Sequence, residues 1–131
     1  MKKVEVVAGV IICKDKILCV QRPENKLEYI SKKFEFPGGK VEVGETQEEA
    51  LIRELEEELS ISPKIDKHFL TVIHQYPHFE LTMHSYLCQA ESQDLVLHEH
   101  IKAEWLPKAE LNNLDWAAAD IPIVNKLRAD E

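Results

Sequence analysis

The sequence predicts an α+β fold, a mixed β-sheet between helices, on three observations. Stretches rich in β-branched residues come in pairs separated by short polar breaks, the pattern of hairpins. One strongly amphipathic helical stretch stands in the middle of the chain, and a second closes it. Strands grouped with strands and isolated helices between the groups point to α+β rather than to a strict βαβ alternation.

Val4 to Cys13 and Ile17 to Gln21 are the first pair, joined through Lys14-Asp15-Lys16. The polar run from Arg22 to Lys33 follows, the longest loop in this half of the chain and the best placed to shape a substrate mouth. Phe34 to Phe36 reads as a short strand, ending in a Pro37-Gly38-Gly39 turn that lets backbone approach a ligand. Thr46 to Leu59 is a helix. Thr46 and Glu49 form a capping box, and Leu51, Leu55 and Leu59, with Ala50 and Ile52 beside them, give one face to a core. Lys64 to Tyr76 and Phe79 to Ala90 are two longer strands meeting at Pro77-His78, with an acidic loop after them. Lys102 to Leu106 is a further strand, Lys108 to Asn112 a short helix, and Ile123, Val124 and Leu127 mark the final amphipathic helix.

The middle helix carries charges that stability alone does not explain. Glu54, Glu57 and Glu58 stand at i, i+3 and i+4, which groups their carboxylates on one side of the last turns. At about 6 Å and an effective dielectric near 20, each pair repels by roughly 3 kcal/mol, less where solvent screens it. Anions also oppose the dipole at a helix C-terminus. A divalent cation removes both penalties, so the cluster reads as a magnesium site for phosphate chemistry; a solvated acidic face is the alternative.

The wider spacing favours the metal. Gly39 is followed six residues on by Glu45, and Arg53-Glu54-Leu55-Glu56-Glu57-Glu58-Leu59-Ser60-Ile61 closes the helix. This resembles the Nudix box, G-x5-E-x7-R-E-U-x-E-E-x-G-U with U aliphatic. One position departs: Ser60 stands where the family has glycine, at a helix exit where a positive φ is expected and serine adopts it only at a cost. Further stretches are similar to the MutT-type branch: Lys2-Lys3-Val4 with Gly9-Val10-Ile11-Ile12, Phe34 through Glu42, and the spacing from Glu99 to Trp105. His98-Glu99-His100, Glu104-Trp105 and Ala119-Asp120-Ile121-Pro122 are similar to the bacterial CTP pyrophosphohydrolase group.

The resemblance implies a Nudix-type α/β/α sandwich and a Mg²⁺-dependent hydrolase, with Mn²⁺ able to substitute. It would split a nucleoside triphosphate into monophosphate and pyrophosphate, acting on cytosine or on modified and oxidised nucleotides in a house-cleaning role. By position, Gly38, Glu54, Glu57, Glu58 and Glu99 would hold metal. Glu54, Glu57 and Glu99 are each open as general base. Arg53 would orient the glutamates, or only offset Glu49 and Glu57 at i−4 and i+4, and Gly39 and Glu45 would support the box. Arg22, Phe34, Glu35, Phe36 and Asp120 would meet the substrate, although Phe34 and Phe36 also suit a core and Asp120 also suits a helix N-cap. An ionised aspartate only accepts hydrogen bonds, which tilts the base toward the amino group of cytosine. His98 and His100 could serve a transition metal, but hard oxygen donors surround them.

Length and composition narrow the rest. A chain of 131 residues reads as a single domain, residues 1 to 131. The formal net charge of −8 excludes the basic surface that nucleic acid polymers need, whereas metal ions can bridge a triphosphate to carboxylates. Cys13, Cys19 and Cys88 lie in apolar surroundings without metal spacing and read as reduced core residues. No apolar run approaches the about 20 residues of a membrane span, and Met1-Lys2-Lys3 opens no signal pattern, so a cytoplasmic monomer or homodimer is expected. Two other readings remain open. One is hydrolysis of ADP-ribose, a dinucleoside polyphosphate or a sugar nucleotide, for which Tyr76 and Pro77 stand near branch markers. The other is a silent nucleotide sensor.

Overall fold

The computed structural model describes residues 2–129. Seven strands form one mixed sheet. Strand β1 (Lys2–Cys13) turns into β2 (Lys16–Gln21), and Lys14 and Asp15 both adopt positive φ, 54° and 63°. That pair of angles makes the primed turn whose twist suits a two-residue hairpin, here without the usual glycine. β1 then runs parallel to β6 (Phe79–Gln89) along its length, from Lys2 opposite Phe79 to Ile12 opposite Gln89. β5 (Lys64–Gln75) pairs antiparallel with β6, and the sheet order is β3-β2-β1-β6-β5 with β3 at Phe34–Glu35.

The Pro37-Gly38-Gly39 segment is a correction to the sequence reading. Gly38–Lys40 is not a turn but a strand, β4, antiparallel to β1 with Ala8 opposite Gly38. Two glycines read as punctuation, yet here the missing side chains serve close packing. A β-carbon on Gly38 would run into the carbonyl oxygen of Val7. β7 (Lys102–Leu106) pairs with β2, and Lys108–Asn113, expected as a helix, is a 3₁₀ segment.

The alternation of strand side chains sorts the core into two layers. Val7, Ile11, Leu18 and Val20 face α1 (Gln47–Leu59), where they meet Ala50, Leu51, Leu55 and Leu59. Ala8, Val10, Ile17 and Cys19 face the other way, toward Leu111, Trp116 and the Ile123, Val124 and Leu127 stripe of α2 (Ile121–Ala129). The sheet therefore lies between helices, as the Nudix-type sandwich requires. All three cysteines are buried and free. No helix among the described residues is long and apolar enough to cross a membrane.

Candidate active site

Helix α1 is placed by its ends. Thr46 Oγ1 accepts the Glu49 N–H at 3.1 Å and Glu49 returns a bond to the Thr46 N–H at 2.9 Å, so the capping box is formed. At the other end Ser60 holds φ 55° and ψ 41°, the left-handed conformation the box glycine would supply, and its N–H closes onto Glu56 O. Between these ends, about 100° of rotation per residue splits the acidic cluster. Glu54 and Glu58 turn inward, while Glu57, only three residues from Glu54, points out beside Arg53.

Arg53 organises the outer half. It donates to Glu45 at 2.6 and 2.9 Å, to Glu54 at 2.8 Å, to Glu57 at 3.1 Å and to the Lys40 carbonyl at 3.0 Å. Glu49 is committed to the helix cap, so Arg53 is more than an i±4 neutraliser. Glu45 also accepts the Glu42 N–H at 2.9 Å, and these donors hold its carboxyl down to about 2. The box thus fixes the loop before α1 to the helix through one guanidinium.

The inner half opens into a cavity of about 830 Å³, a size that suits a nucleotide-scale ligand. Gly38, Gly39, Glu54, Glu58 and Glu99 line one end. A β-carbon on Gly39 would collide with the Glu54 carboxyl, so that glycine makes the room for it. Glu58 is 5% exposed, and its Oε1 is buried with no hydrogen-bond partner. Burial, then a hydrogen bond shared with Glu54, pushes the Glu58 carboxyl up to about 10. Glu57 is not among the residues lining the cavity.

The opposite end is aromatic. Tyr29 stacks on Tyr76 with centroids 5.3 Å apart, and Phe36 stacks on Trp116 at 4.6 Å. Phe36 lines the cavity, whereas Phe34 packs against Trp116 in the core and does not, which corrects its expected substrate contact. Asp120, 4% exposed, does not spend its carboxyl on a helix cap. Its Oδ1 accepts the Phe36 N–H at 3.1 Å, and Tyr76 Oη accepts the Ala119 N–H at 3.0 Å, fixing this turn over the cavity. Burial, and next the charge of Glu35, raise the Asp120 pKa well above the ordinary carboxylate range. A raised pKa favours the neutral carboxyl, which donates as well as accepts, over the expected ionised, accept-only form.

Between the two ends, Glu35 takes His100 Nε2 at 2.9 Å on one oxygen and the Arg22 guanidinium at 3.4 Å on the other. His98 Nε2 meets Ser60 Oγ at 2.8 Å, so the Nε2 atoms of both histidines are already engaged. Four buried side-chain polar atoms among the described residues have no partner: Arg22 Nε, Tyr29 Oη, Glu58 Oε1 and His100 Nδ1. All four residues line this cavity, and such orphans are costly unless a ligand meets them. Tyr29 and His100 were not read from the sequence as substrate contacts. A lone tyrosine in an otherwise polar loop was the one signal for the first; the second needed the fold to bring it to Glu35.

Among the described residues no three His, Cys, Asp or Glu side chains converge into a closed metal-ligand set. The reason is local: Arg53 draws Glu57 outward and shares Glu54, while Glu54 and Glu58 bond to each other. The donor set still fits a hard dication, because an orphaned buried carboxyl oxygen beside a second carboxyl is the environment a cation relieves.

The NUDIX domain model matches residues 3–127. The chain is a member of the Nudix family. It is 31% identical over 128 residues to an 8-oxo-dGTP diphosphatase of Escherichia coli K12, covering 98% of both chains. It is 34% identical over 129 residues to the CTP pyrophosphohydrolase of the same organism, covering 98% of this chain and 94% of the relative. The solution structure of the E. coli ORF135 protein superposes with a TM-score of 0.85 at 34% identity, covering 98% of this chain and 91% of that one. This Nudix chain is thus a pyrophosphohydrolase of MutT type, and the family generally uses divalent metal ions.

Proposed function

We propose that this Nudix hydrolase converts a (deoxy)nucleoside triphosphate into the monophosphate and pyrophosphate with Mg²⁺, acting on cytosine or oxidised nucleotides in a house-cleaning role. The observation that carries the reading is the cavity's polarity: an orphaned, buried Glu58 oxygen beside Glu54 at one end, stacked aromatics with Asp120 at the other. Relatives named for CTP and for 8-oxo-dGTP support the substrate class.

Glu54, Glu57, Glu58, Glu99 and the Gly38 backbone would hold the metal, and Mn²⁺ would substitute. Bound there, the cation supplies charge neutralisation at the phosphates and lowers the pKa of water. Arg53 orients Glu54 and Glu57, and Gly39 keeps the space for the Glu54 carboxyl. A glutamate accepts the proton of the attacking water, with Glu54, Glu57 and Glu99 as the candidates. Arg22 offers an unpaired Nε to phosphate or sugar, Phe36 presents a ring to the base, and Glu35 holds Arg22 and His100 in place between the ends.

Asp120 sets the base edge. In its neutral form the carboxyl offers a donor and an acceptor side by side. This complements the ring nitrogen and amino group of cytosine, and equally the carbonyl and ring N–H of a guanine. Cytosine and oxidised guanine therefore stand on equal terms here, and a direct assay decides between them. Pyrophosphate release measured across normal, 5-substituted and oxidised triphosphates with Mg²⁺, Mn²⁺ or chelator should single out one class. Glu57→Gln should abolish that release with the fold intact. Turnover of Glu57→Gln at the parent rate, or no release from any triphosphate, would overturn the assignment. ADP-ribose and a dinucleoside polyphosphate belong on the same panel, and nucleotide binding without turnover would mark a sensor.

A further inference from the structure

The segment that brings Glu99 to the cavity has no regular structure of its own. It is wired to the C-terminus of α1, whose last carbonyls lack intrahelical partners. The Val96 N–H donates to Leu59 O at 2.9 Å, and the His98 N–H donates to Glu58 O at 3.1 Å. The third tie is between side chains: Ser60 Oγ and His98 Nε2 lie 2.8 Å apart. Beyond Glu99, His100 is anchored to Glu35 at 2.9 Å. Glu99 is therefore suspended between two histidines, each held by a different wall of the cavity.

Ser60 is the position at which this chain departs from the box. Glycine would take φ 55° freely, and serine keeps it at a cost. A costly residue facing a histidine that flanks Glu99 asks for a gain elsewhere. We propose that Ser60 and His98 form a latch that positions Glu99 for hydrolysis, making both positioning residues in this chain. The latch rests on the role given to Glu99 above. It does for the Glu99 segment what Arg53 does for the box loop, with a side-chain bond that a glycine cannot make.

The test separates positioning from stability, because Ser60→Gly moves the two in opposite directions. Ser60→Gly should leave the melting temperature at or above the parent's, since it relieves the left-handed serine. Yet kcat should fall by about fivefold, the size of one hydrogen bond's net contribution, with KM for the nucleotide within about twofold. His98→Ala should lose kcat equally without gaining stability, and the double variant should be no slower than the slower single, as expected for one shared contact. Amide hydrogen exchange on the full chain gives a readout independent of turnover: the amides of Val96 and His98, which bond to Leu59 O and Glu58 O, should exchange several-fold faster in each variant. Parent-like kcat in Ser60→Gly, additive losses in the double variant, or unchanged exchange at Val96 and His98 would each overturn the latch. If the parent itself hydrolyses no triphosphate, the proposed function has failed, and the exchange measurement still decides whether the latch holds this segment.

Discussion

Glu58 and Asp120 are two acids buried in one cavity, and their surroundings differ in a single respect. Asp120 accepts a backbone N–H from Phe36 on one of its carboxyl oxygens. Glu58 has only another carboxyl for company, and one of its oxygens meets nothing. Burial raises both pKa values, but a backbone donor makes Asp120 a finished part of the fold, whereas Glu58 is complete only with something positive beside it. A reading end can be built from the fold's own hydrogen bonds. A reacting end of this kind is left in debt to its ligand.

The sharpest way to break that comparison is to remove the charge at each end. Glu58→Gln should lower turnover by roughly a thousandfold, about 4 kcal/mol, while the variant stays folded. In chelator at pH 8 it should also melt a few degrees above the parent, because Glu58 must take up a proton to be buried on folding and an amide need not. A lower melting temperature in chelator would show that Glu58 is already satisfied without a cation. Gly39→Ala should follow, with a loss of roughly a hundredfold in kcat, since the new methyl meets the Glu54 carboxyl and shifts it. Parent-like kinetics there would mean that Glu54 has room to spare.

At the reading end the effect should be smaller and of another kind. Asp120→Asn keeps an acceptor for the Phe36 N–H, so kcat on the best substrate should change little. The ratio of kcat/KM between a cytosine and an oxidised guanine triphosphate should shift by about tenfold, one good base contact. An unchanged ratio would remove Asp120 from base recognition.

The same contrast explains what the sequence disclosed. Glu54, Glu57 and Glu58 were legible because their spacing violates helix electrostatics, and Thr46 with Glu49 because capping is local. The positive φ at Ser60 was legible for the same reason. What could not be read were orientation and long-range partners. Phe34 and Phe36 have identical spacing signals and both pack against Trp116, and only the fold brings Phe36 and not Phe34 to the cavity wall. Pro37-Gly38-Gly39 read as a turn because glycine signals turns locally, while its actual use, close approach to Val7 and Glu54, depends on residues distant in sequence. His100 reached Glu35 across 65 positions, a pairing that no periodicity reveals.

The last effect to seek is on stability rather than rate, in its dependence on pH. The Glu58 carboxyl sits at about 10 in the folded chain against an ordinary 4.5, so its contribution to stability is fully present below pH 4.5 and is lost as pH rises through 10. Asp120 acts in the same direction from its own ordinary value of 3.8. Metal-free protein should therefore melt progressively lower as pH rises from about 5 toward 9. Saturating Mg²⁺ should flatten only the share owed to Glu58, because a cation stabilises the ionised form there and leaves Asp120 untouched. Glu58→Gln should show the flattened profile with or without metal, and Asp120→Asn should remove the remainder. Melting curves across that range in chelator and in Mg²⁺ measure all four cases. If Mg²⁺ flattened the profile of Glu58→Gln as strongly as that of the parent, the cation would be acting elsewhere, and the two ends of the cavity would not divide their work as described.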